Sequence, residues 1–201
     1  EALVPPEFYT SIKRVVDVIV VLVILPILVV LALIISIAIK LDSRGPILFQ
    51  QLRTGRYGTP FKLLKFRSMI ATEKTEDIRF ADKNDKRVTR VGRFLRRLRL
   101  DELPQFLNVL KGEMSIIGPR PEQLNFATHF GELIPYYGFR HIVKPGITGW
   151  SQVMFGYAAT DEQTRTKLAF DFYYIKHMSM WLDFVILAKT IRTIAIGSGA
   201  R

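Results

Sequence analysis

Two adjacent carboxylates, Asp101 and Glu102, lie among arginines in the segment RRLRLDELPQFLNVLKGEMSIIGPRP, residues 96–121. A carboxylate can attack phosphorus as a nucleophile, and Mg²⁺ binds one or two carboxylates together with phosphate oxygens. Because such an attack brings two anions together, it requires nearby cations. The arginines of RRLR and Arg120 can supply them, since a guanidinium grips phosphate in a bidentate manner. The segment therefore indicates phosphoryl chemistry.

The same residues also have a purely structural explanation. An aspartate at a helix start caps free backbone N–H groups, and its charge complements the helix dipole. We expect such a helix to begin at Asp101, to keep Pro104 in its first turn and to end at Gly112. In the tetrapeptide 118–121, two prolines fix the backbone around Arg120. In most proteins such a tetrapeptide is only a stiff turn. It also reduces the conformational entropy that Arg120 would lose on binding an anion. Taken alone, these residues leave both explanations open.

Composition narrows the possible partners. The 201 residues include 29 Lys and Arg against 18 Asp and Glu, a net charge of +11, which indicates an anionic partner such as a nucleotide, a nucleic acid or a lipid surface. Absence of cysteine excludes disulfides, thiolate nucleophiles and Cys-ligated zinc. The sequence also lacks the P-loop, dinucleotide-binding, HExxH and GxSxG motifs. Because the chain begins with Glu1 instead of Met, we expect it to be a fragment or a processed chain.

A long apolar segment precedes this charged region. Residues 18–39 carry no charge, and as a straight helix they would extend about 33 Å, the thickness of a hydrocarbon core. Pro26 lies inside the segment and predicts a bend. Cations flank both ends, so charge gives no preferred orientation. A re-entrant helix that dips into one leaflet, a simple transmembrane span and a buried helix of a soluble domain all remain open.

The remaining elements follow from turn residues and periodicity. Residues 43–69 combine Gly-Pro and Tyr-Gly turns with short apolar runs, which predicts a small β-hairpin. A charged loop is predicted for 72–86. From Arg90 onwards an arginine stripe opposes an apolar stripe, which predicts an amphipathic helix with a solvated or headgroup-facing surface. A last helical element is predicted for 165–196, broken near 177–179, with Trp181 at a membrane interface or towards the core.

Four motifs, in this order, resemble those of the bacterial monotopic phosphoglycosyl transferases: FKLLKFRSM, LRLDELPQFLNVLKGEMSIIGPRP, KPGITGWSQV and FDFYYIKHMSMWLD. The resemblance covers nearly all of residues 13–196. It implies transfer of a sugar 1-phosphate from a UDP-sugar to polyprenol (undecaprenyl) phosphate, with release of UMP. It further implies a helix-rich α+β fold with interfacial amphipathic helices. The N-terminal segment, 1–42, would form a re-entrant helix kinked at Pro26, and residues 43–201 would form the catalytic domain.

The resemblance also implies roles for individual residues. Asp101 would be the nucleophile that forms a covalent phosphosugar intermediate, with Mg²⁺ bound at Asp101 and with Glu102 as the second member of the dyad. The predicted phosphate-binding residues are Lys65, Arg67, Arg96 and Arg120. The sequence departs from the small members of the family at Leu25, before the kink proline, and at Arg99, where serine is common. Both features look more like the larger members that initiate exopolysaccharide or O-antigen synthesis.

These expectations place the chain on the cytoplasmic face of the bacterial inner membrane, as a possible homodimer that binds no nucleic acid. A different function also explains the charge of +11. A non-catalytic, membrane-attached basic module would bind anionic lipid or nucleic acid. That alternative gives no reason for a carboxylate pair inside a field of arginines.

Overall fold

The structure, a computed structural model, describes residues 7–70, 85, 87–156 and 160–196. Over these residues the chain is helix-rich with two small sheets, which confirms the predicted α+β class. The helices are α1 (Glu7–Asp42), α2 (Arg90–Arg97), α3 (Gln105–Lys111), α4 (Leu124–Leu133), α5 (Trp150–Met154), α6 (Asp161–Lys176) and α7 (Met180–Ile196). The strands are β1 (Leu48–Thr54), β2 (Pro60–Phe66), β3 (Ser115–Ile117) and β4 (Gly146–Thr148). The predicted loop at 72–86 lies outside the described residues except for Asp85.

The hairpin predicted for residues 43–69 is present. Strands β1 and β2 pair antiparallel, with Leu48 opposite Phe66 and Thr54 opposite Pro60. Strand β2 is the inner strand of the pair, because most of its apolar side chains are buried. The second sheet, a parallel pairing of β3 with β4, was not predicted. It brings the segment KPGITGW alongside the end of β3, directly before the turn that carries Arg120.

Helix α1 continues through Pro26 as one helix of 36 residues. It is long and apolar enough to cross a membrane, yet Val23, Ile27 and Leu33 are 72%, 64% and 62% exposed. A helix in the core of a soluble protein would bury such side chains, so that interpretation is wrong. The exposed apolar surface suggests membrane association. The re-entrant geometry stays a prediction.

The first half of α1 is fixed to the domain by buried polar contacts. Lys13 forms an ion pair with Asp183 of α7. Asp17 accepts hydrogen bonds from the Ser115 hydroxyl at 2.7 Å and from the Ile116 N–H at 3.3 Å. Since buried charges are stable only when paired or hydrogen-bonded, these contacts define where α1 meets the sheet formed by β3 and β4.

The far end of α1 contacts the same domain. Ile35 and Ile39 are buried against Phe66 of β2 and Leu95 of α2. The Asp42 carboxylate accepts a hydrogen bond from the Val91 N–H, at 3.1 Å, in the first turn of α2. Both ends of α1 are therefore held by one folded body, and the exposed apolar stretch lies between them.

Helix α3 begins later than the sequence predicted. Asp101 lies in a separate 3-10 turn, Leu100–Glu102, and the α-helix starts at Gln105. The N–H groups of Glu102 and Leu103 donate to the carbonyls of Arg99 and Leu100, three residues back, which closes the tighter turn, and Pro104 takes the N-cap position of α3. Gly112 ends α3 with a φ of 84°, as predicted.

The other predicted elements are present over the described residues. Helix α2 carries the arginine stripe, and the last helical element is broken between α6 and α7 at the predicted position. On α7, Ile186 is buried while Trp181 and Phe184 are 72% and 59% exposed. One face of α7 therefore packs on the core, and its aromatic side chains on another face are exposed.

Asn108 of α3 joins the helix to the hairpin and gives a test of this packing. Its fully buried side chain accepts a hydrogen bond from the Leu64 N–H at 3.1 Å and donates to the Lys62 carbonyl at 2.8 Å. Asn108→Ala leaves both backbone groups of β2 without these partners. We expect a loss of about 2–3 kcal/mol in unfolding free energy. Thermal unfolding in detergent measures it, and Asn125→Ala, at an exposed position of α4, should change stability by less than about 0.5 kcal/mol.

Candidate active site

The two carboxylates predicted to do chemistry lie in the 3-10 turn between α2 and α3. Asp101 is 8% exposed and Glu102 is 7% exposed. Arg99, two residues before Asp101, has a φ of 55°, which is in the left-handed region. A non-glycine residue rarely adopts this conformation, and it reverses the chain sharply after α2. The turn thus directs both carboxylates inwards, towards β2 and the Arg120 turn.

Glu102 is surrounded by cations from three parts of the chain. Its Oε1 atom lies 2.7 Å from the Arg120 guanidinium and 3.2 Å from the Lys65 Nζ atom. The Arg99 guanidinium lies 3.9 Å away. Burial alone would raise the pKa of Glu102, but the charges of Arg120 and Lys65 outweigh burial and hold that pKa well below its usual range. Glu102 is therefore a permanent anion that fixes the positions of its cationic neighbours.

Asp101 has a different environment. Among the described residues, no side chain or N–H group donates a hydrogen bond to its carboxylate. Burial raises the pKa of Asp101 above its ordinary value; the positive charge of Lys65 partly lowers it, and the negative charge of Glu102 raises it further. Of the two neighbouring carboxylates, Glu102 is thus bound by cations and Asp101 is available for reaction.

The turn that carries Arg120 is fixed on both sides. Gly118 donates its N–H to the Thr148 carbonyl at 2.9 Å, and Gly146 donates to the Pro119 carbonyl at 2.9 Å. From the other side, the Arg53 guanidinium of β1 donates to the Pro121 carbonyl at 3.2 Å. Together with the fixed φ angles of the prolines, these bonds leave Arg120 little backbone freedom. The structural and the functional explanations of this turn are thus compatible.

A buried ion pair contacts the backbone of the same turn. The Arg140 guanidinium is 3% exposed, donates to the Arg120 carbonyl at 3.0 Å, and binds the Asp171 carboxylate of α6 at 2.8 Å. Asp171 also accepts a hydrogen bond from the Ser151 hydroxyl at 2.7 Å. These residues were not predicted from the sequence, because an arginine and an aspartate 31 positions apart give no local signal.

Two predicted phosphate-binding residues lie apart from the ion cluster around Glu102. Arg96, in the last turn of α2, is near enough for its charge to lower the pKa of Asp101, after larger effects of burial, Lys65, Glu102 and Arg120. Arg67 is buried elsewhere: its guanidinium donates to the carbonyls of Ser43 and Arg44 at 2.7 Å and 2.9 Å, just after α1. These contacts fix the chain as it leaves the helix. The predicted phosphate contact of Arg67 stays a prediction.

The donor set suits a hard divalent cation only when phosphate contributes. Among the described residues, no group of three acidic or histidine side chains converges on one point. The Glu102 carboxylate is already engaged by Arg120 and Lys65, which leaves the Asp101 carboxylate as the available protein ligand. Mg²⁺ commonly binds one or two carboxylates, several waters and substrate phosphates. Asp101 therefore fits the predicted magnesium ligand, provided that the substrate supplies phosphate oxygens.

The arrangement as a whole can perform nucleophilic chemistry on a phosphoryl group. The Asp101 carboxylate, which accepts no hydrogen bond from the described residues, lies next to the Glu102 carboxylate, which holds a lysine and an arginine in place. Such preorganised cations stabilise charge that develops on phosphate oxygens in the transition state.

Comparison with known proteins agrees with this geometry. The family model described as bacterial sugar transferase matches residues 8–197, nearly the whole chain. The match includes both carboxylates, the Arg120 turn and α1 except for its first residue.

Individual relatives carry more specific names. A UDP-N-acetylgalactosamine-undecaprenyl-phosphate N-acetylgalactosaminephosphotransferase from Aeromonas hydrophila is 51% identical over 200 residues, which are 100% of this chain and 47% of that protein. A UDP-glucose:undecaprenyl-phosphate glucose-1-phosphate transferase from Escherichia coli (strain K12) is 44% identical over 90% of this chain and 39% of its own length. An exopolysaccharide production protein PSS from Rhizobium leguminosarum bv. phaseoli is 40% identical over 90% of this chain and 93% of its own length. The chain thus spans less than half the length of the first two relatives.

Proposed function

Because the chain belongs to the bacterial sugar transferase family, we propose that it transfers a sugar 1-phosphate from a UDP-sugar to undecaprenyl phosphate at a membrane, releasing UMP. The names of the Aeromonas and Escherichia relatives support the two substrates. The observation that carries the proposal is the contrast between Asp101, which has no hydrogen-bonding partner among the described residues, and Glu102, which is bound by Arg120 and Lys65. The relatives use different sugars, so the proposal names the substrate class only.

In the proposed reaction, Asp101 is the nucleophile. One carboxylate oxygen attacks the β-phosphorus of the UDP-sugar, and the bond from that phosphorus to the bridging oxygen breaks. UMP leaves with the electron pair, and an aspartyl phosphosugar remains on the protein. A phosphate oxygen of undecaprenyl phosphate then attacks the same phosphorus, and the Asp101 carboxylate departs unchanged. The products are undecaprenyl diphosphate sugar and UMP.

The cations around Glu102 make the approach of two anions possible. Arg120 and Lys65 are held by Glu102 on one side, and each has further N–H donors that can bind phosphate oxygens. Bound Mg²⁺ would be held by Asp101 and would supply further neutralisation of phosphate charge. Glu102 itself acts as a positioning residue, since it keeps both cations beside the nucleophile.

A non-catalytic basic module is not favoured. It would account for the charge of +11 but not for two buried carboxylates, each costly to desolvate, in the region richest in cations. Named relatives at 44–51% identity are transferases and not lipid-binding modules.

We further propose that α1 is re-entrant. A helix that crosses a bilayer places its two ends on opposite sides, about 30 Å apart. In α1, however, Asp17 and Asp42 both accept hydrogen bonds from one folded body, through Ser115 and Val91. Of the helices in the described residues, α1 alone is long and apolar enough to cross. A bend at Pro26 would leave both ends and the domain on one side, proposed to be the cytoplasmic face of the inner membrane.

Trapping the intermediate tests the proposed chemistry. Protein incubated with the correct UDP-sugar and Mg²⁺, but without undecaprenyl phosphate, should gain the mass of one sugar phosphate and release UMP. Asp101→Asn should give neither adduct nor UMP, because an amide oxygen is a poor nucleophile towards phosphorus, with a loss in rate of about 10³-fold or more. Intact-protein mass spectrometry and a UMP assay measure both. Asp161→Asn, at the exposed start of α6, is the matched control and should behave as the parent.

The absence of an adduct during active turnover would contradict the covalent route while leaving the overall transfer standing. Release of UDP instead of UMP would overturn the transfer itself, because UDP is the product of direct glycosyl transfer.

The pH dependence of kcat/KM gives a second test. Activity requires ionised Asp101, so it should rise with pH through the pKa of Asp101, which burial places above the ordinary 3.8. Lys65→Met removes a positive charge that lowers the pKa of Asp101, so the acidic limb of the kcat/KM profile should move to higher pH. Glu102→Gln removes a charge that raises it, so the limb should move to lower pH. Each variant should also lose about 10²–10³-fold in rate.

Lys62→Met is the matched control for the pH profile, since Lys62 lies on the same strand with an exposed side chain. Its acidic limb should coincide with that of the parent. Shifts of the two test variants in the same direction would contradict the assignment of Asp101 as the titrating group.

Cysteine labelling tests the re-entrant helix. The chain contains no cysteine, so Ser11→Cys and Leu41→Cys each introduce one reactive thiol, at exposed positions on opposite ends of α1. In sealed vesicles of one orientation, a membrane-impermeant maleimide should label both variants to the same extent. Labelling of one variant from outside and of the other only after permeabilisation would establish a simple span.

A further inference from the structure

A second cationic site lies beside the first turns of α1. It is a cavity of about 360 Å³ whose lining shares no residue with the ion cluster around Glu102. The cavity is formed by α1, the loop between β1 and β2, strand β3, the segment before β4, and α6 with the residues after it. Its charged lining residues are Lys13, Arg14, Asp17, Arg56 and Lys144.

Two of these residues, Lys13 and Asp17, already have polar partners within the domain. Lys13 is paired with Asp183. The Asp17 carboxylate accepts hydrogen bonds from the Ser115 hydroxyl and the Ile116 N–H. The charge of Asp17 raises the pKa of Lys144, but burial, Arg14 and Arg56 each have a larger effect on that pKa. One carboxylate of the lining therefore faces three remaining cations.

Three cations of the cavity, Arg14, Arg56 and Lys144, are not ion-paired within the described part of the chain. The Arg14 guanidinium donates to the Leu110 carbonyl at 2.9 Å, and Arg56 donates its Nε–H to the Ile142 carbonyl at 3.0 Å. These contacts are with neutral groups, and neither arginine nor Lys144 forms an ion pair with a carboxylate of the described residues. Burial and the nearby charges of Arg14 and Arg56 lower the pKa of Lys144. Such crowding of like charges is unfavourable unless an anion binds between them.

We infer that this cavity binds the phosphate group of a membrane phospholipid. Arg14 lies four positions before the uncharged residues 18–39, so the cavity is at the level where α1 would enter the membrane. Cations at that level attract anionic headgroups. On the same turns of α1, Val15 and Ile19 are 57% and 54% exposed and apolar, which provides a surface for acyl chains. A free phosphate ion would satisfy the three cations but would leave this apolar surface uncovered.

Lipid retention tests the inference. The protein is reconstituted in nanodiscs of phosphatidylcholine with a minor fraction of phosphatidylglycerol, extracted in mild detergent without any UDP-sugar, and studied by native mass spectrometry. The parent should retain one phosphatidylglycerol. The double variant R56Q/K144Q should lose retention by about 25-fold, since each juxtamembrane cation contributes about fivefold to binding of anionic lipid. K62Q/R165Q, which removes one exposed lysine and one exposed arginine elsewhere, should change retention by less than about twofold.

Three outcomes would overturn the inference. Equal losses in both double variants would mean diffuse attraction without a site. Binding of inorganic phosphate by delipidated protein, together with no retained lipid, would identify a soluble ligand. Loss of the lipid in Lys65→Met, which removes a cation of the catalytic cluster, would place the retained molecule at that cluster instead. Since no UDP-sugar is present, the result does not depend on the proposed transfer reaction.

Discussion

The ion cluster around Glu102 is the interaction on which the site depends. A buried carboxylate costs several kcal/mol to remove from water, and only well-placed cations recover that cost. Lys65 lies 37 positions before Glu102 and Arg120 lies 18 positions after it. The hairpin, the 3-10 turn and the turn after β3 must therefore meet for Glu102 to be stable as an anion. Folding of the domain and assembly of the site are consequently one process.

The cluster is supported by an outer set of polar contacts. Arg140 holds the backbone of Arg120 and is itself held by Asp171, so α6 helps to fix the position of Arg120. The parallel pairing of β3 with β4 holds the start of the same turn. A side chain fixed in this way loses little entropy when it meets a phosphate, which is the physical basis of preorganised electrostatic catalysis.

Local patterns predicted much of this architecture, and long-range contacts account for what they missed. Turn residues and periodicity identified the hairpin, α2 and the break between α6 and α7 because each depends on neighbours in sequence. The carboxylate pair stood out because Asp101 and Glu102 lie within an arginine-rich run. The start of α3 was misjudged, since Asp101 lies in a separate 3-10 turn and Pro104 is the N-cap of the helix. Arg140, with its partner on α6, could not be found, because only the tertiary fold brings them together.

The contacts of Asp183 bear on how the protein can be handled. This carboxylate is 7% exposed and is bound by Lys13 and Tyr9 of α1 as well as by Tyr174. Trimming α1 away to obtain a water-soluble catalytic fragment would strip Asp183 of two of these partners and deprive the Ser115 hydroxyl of Asp17. The first turns of α1 are thus a structural part of the domain, and a fragment that lacks them should be less stable than the intact chain.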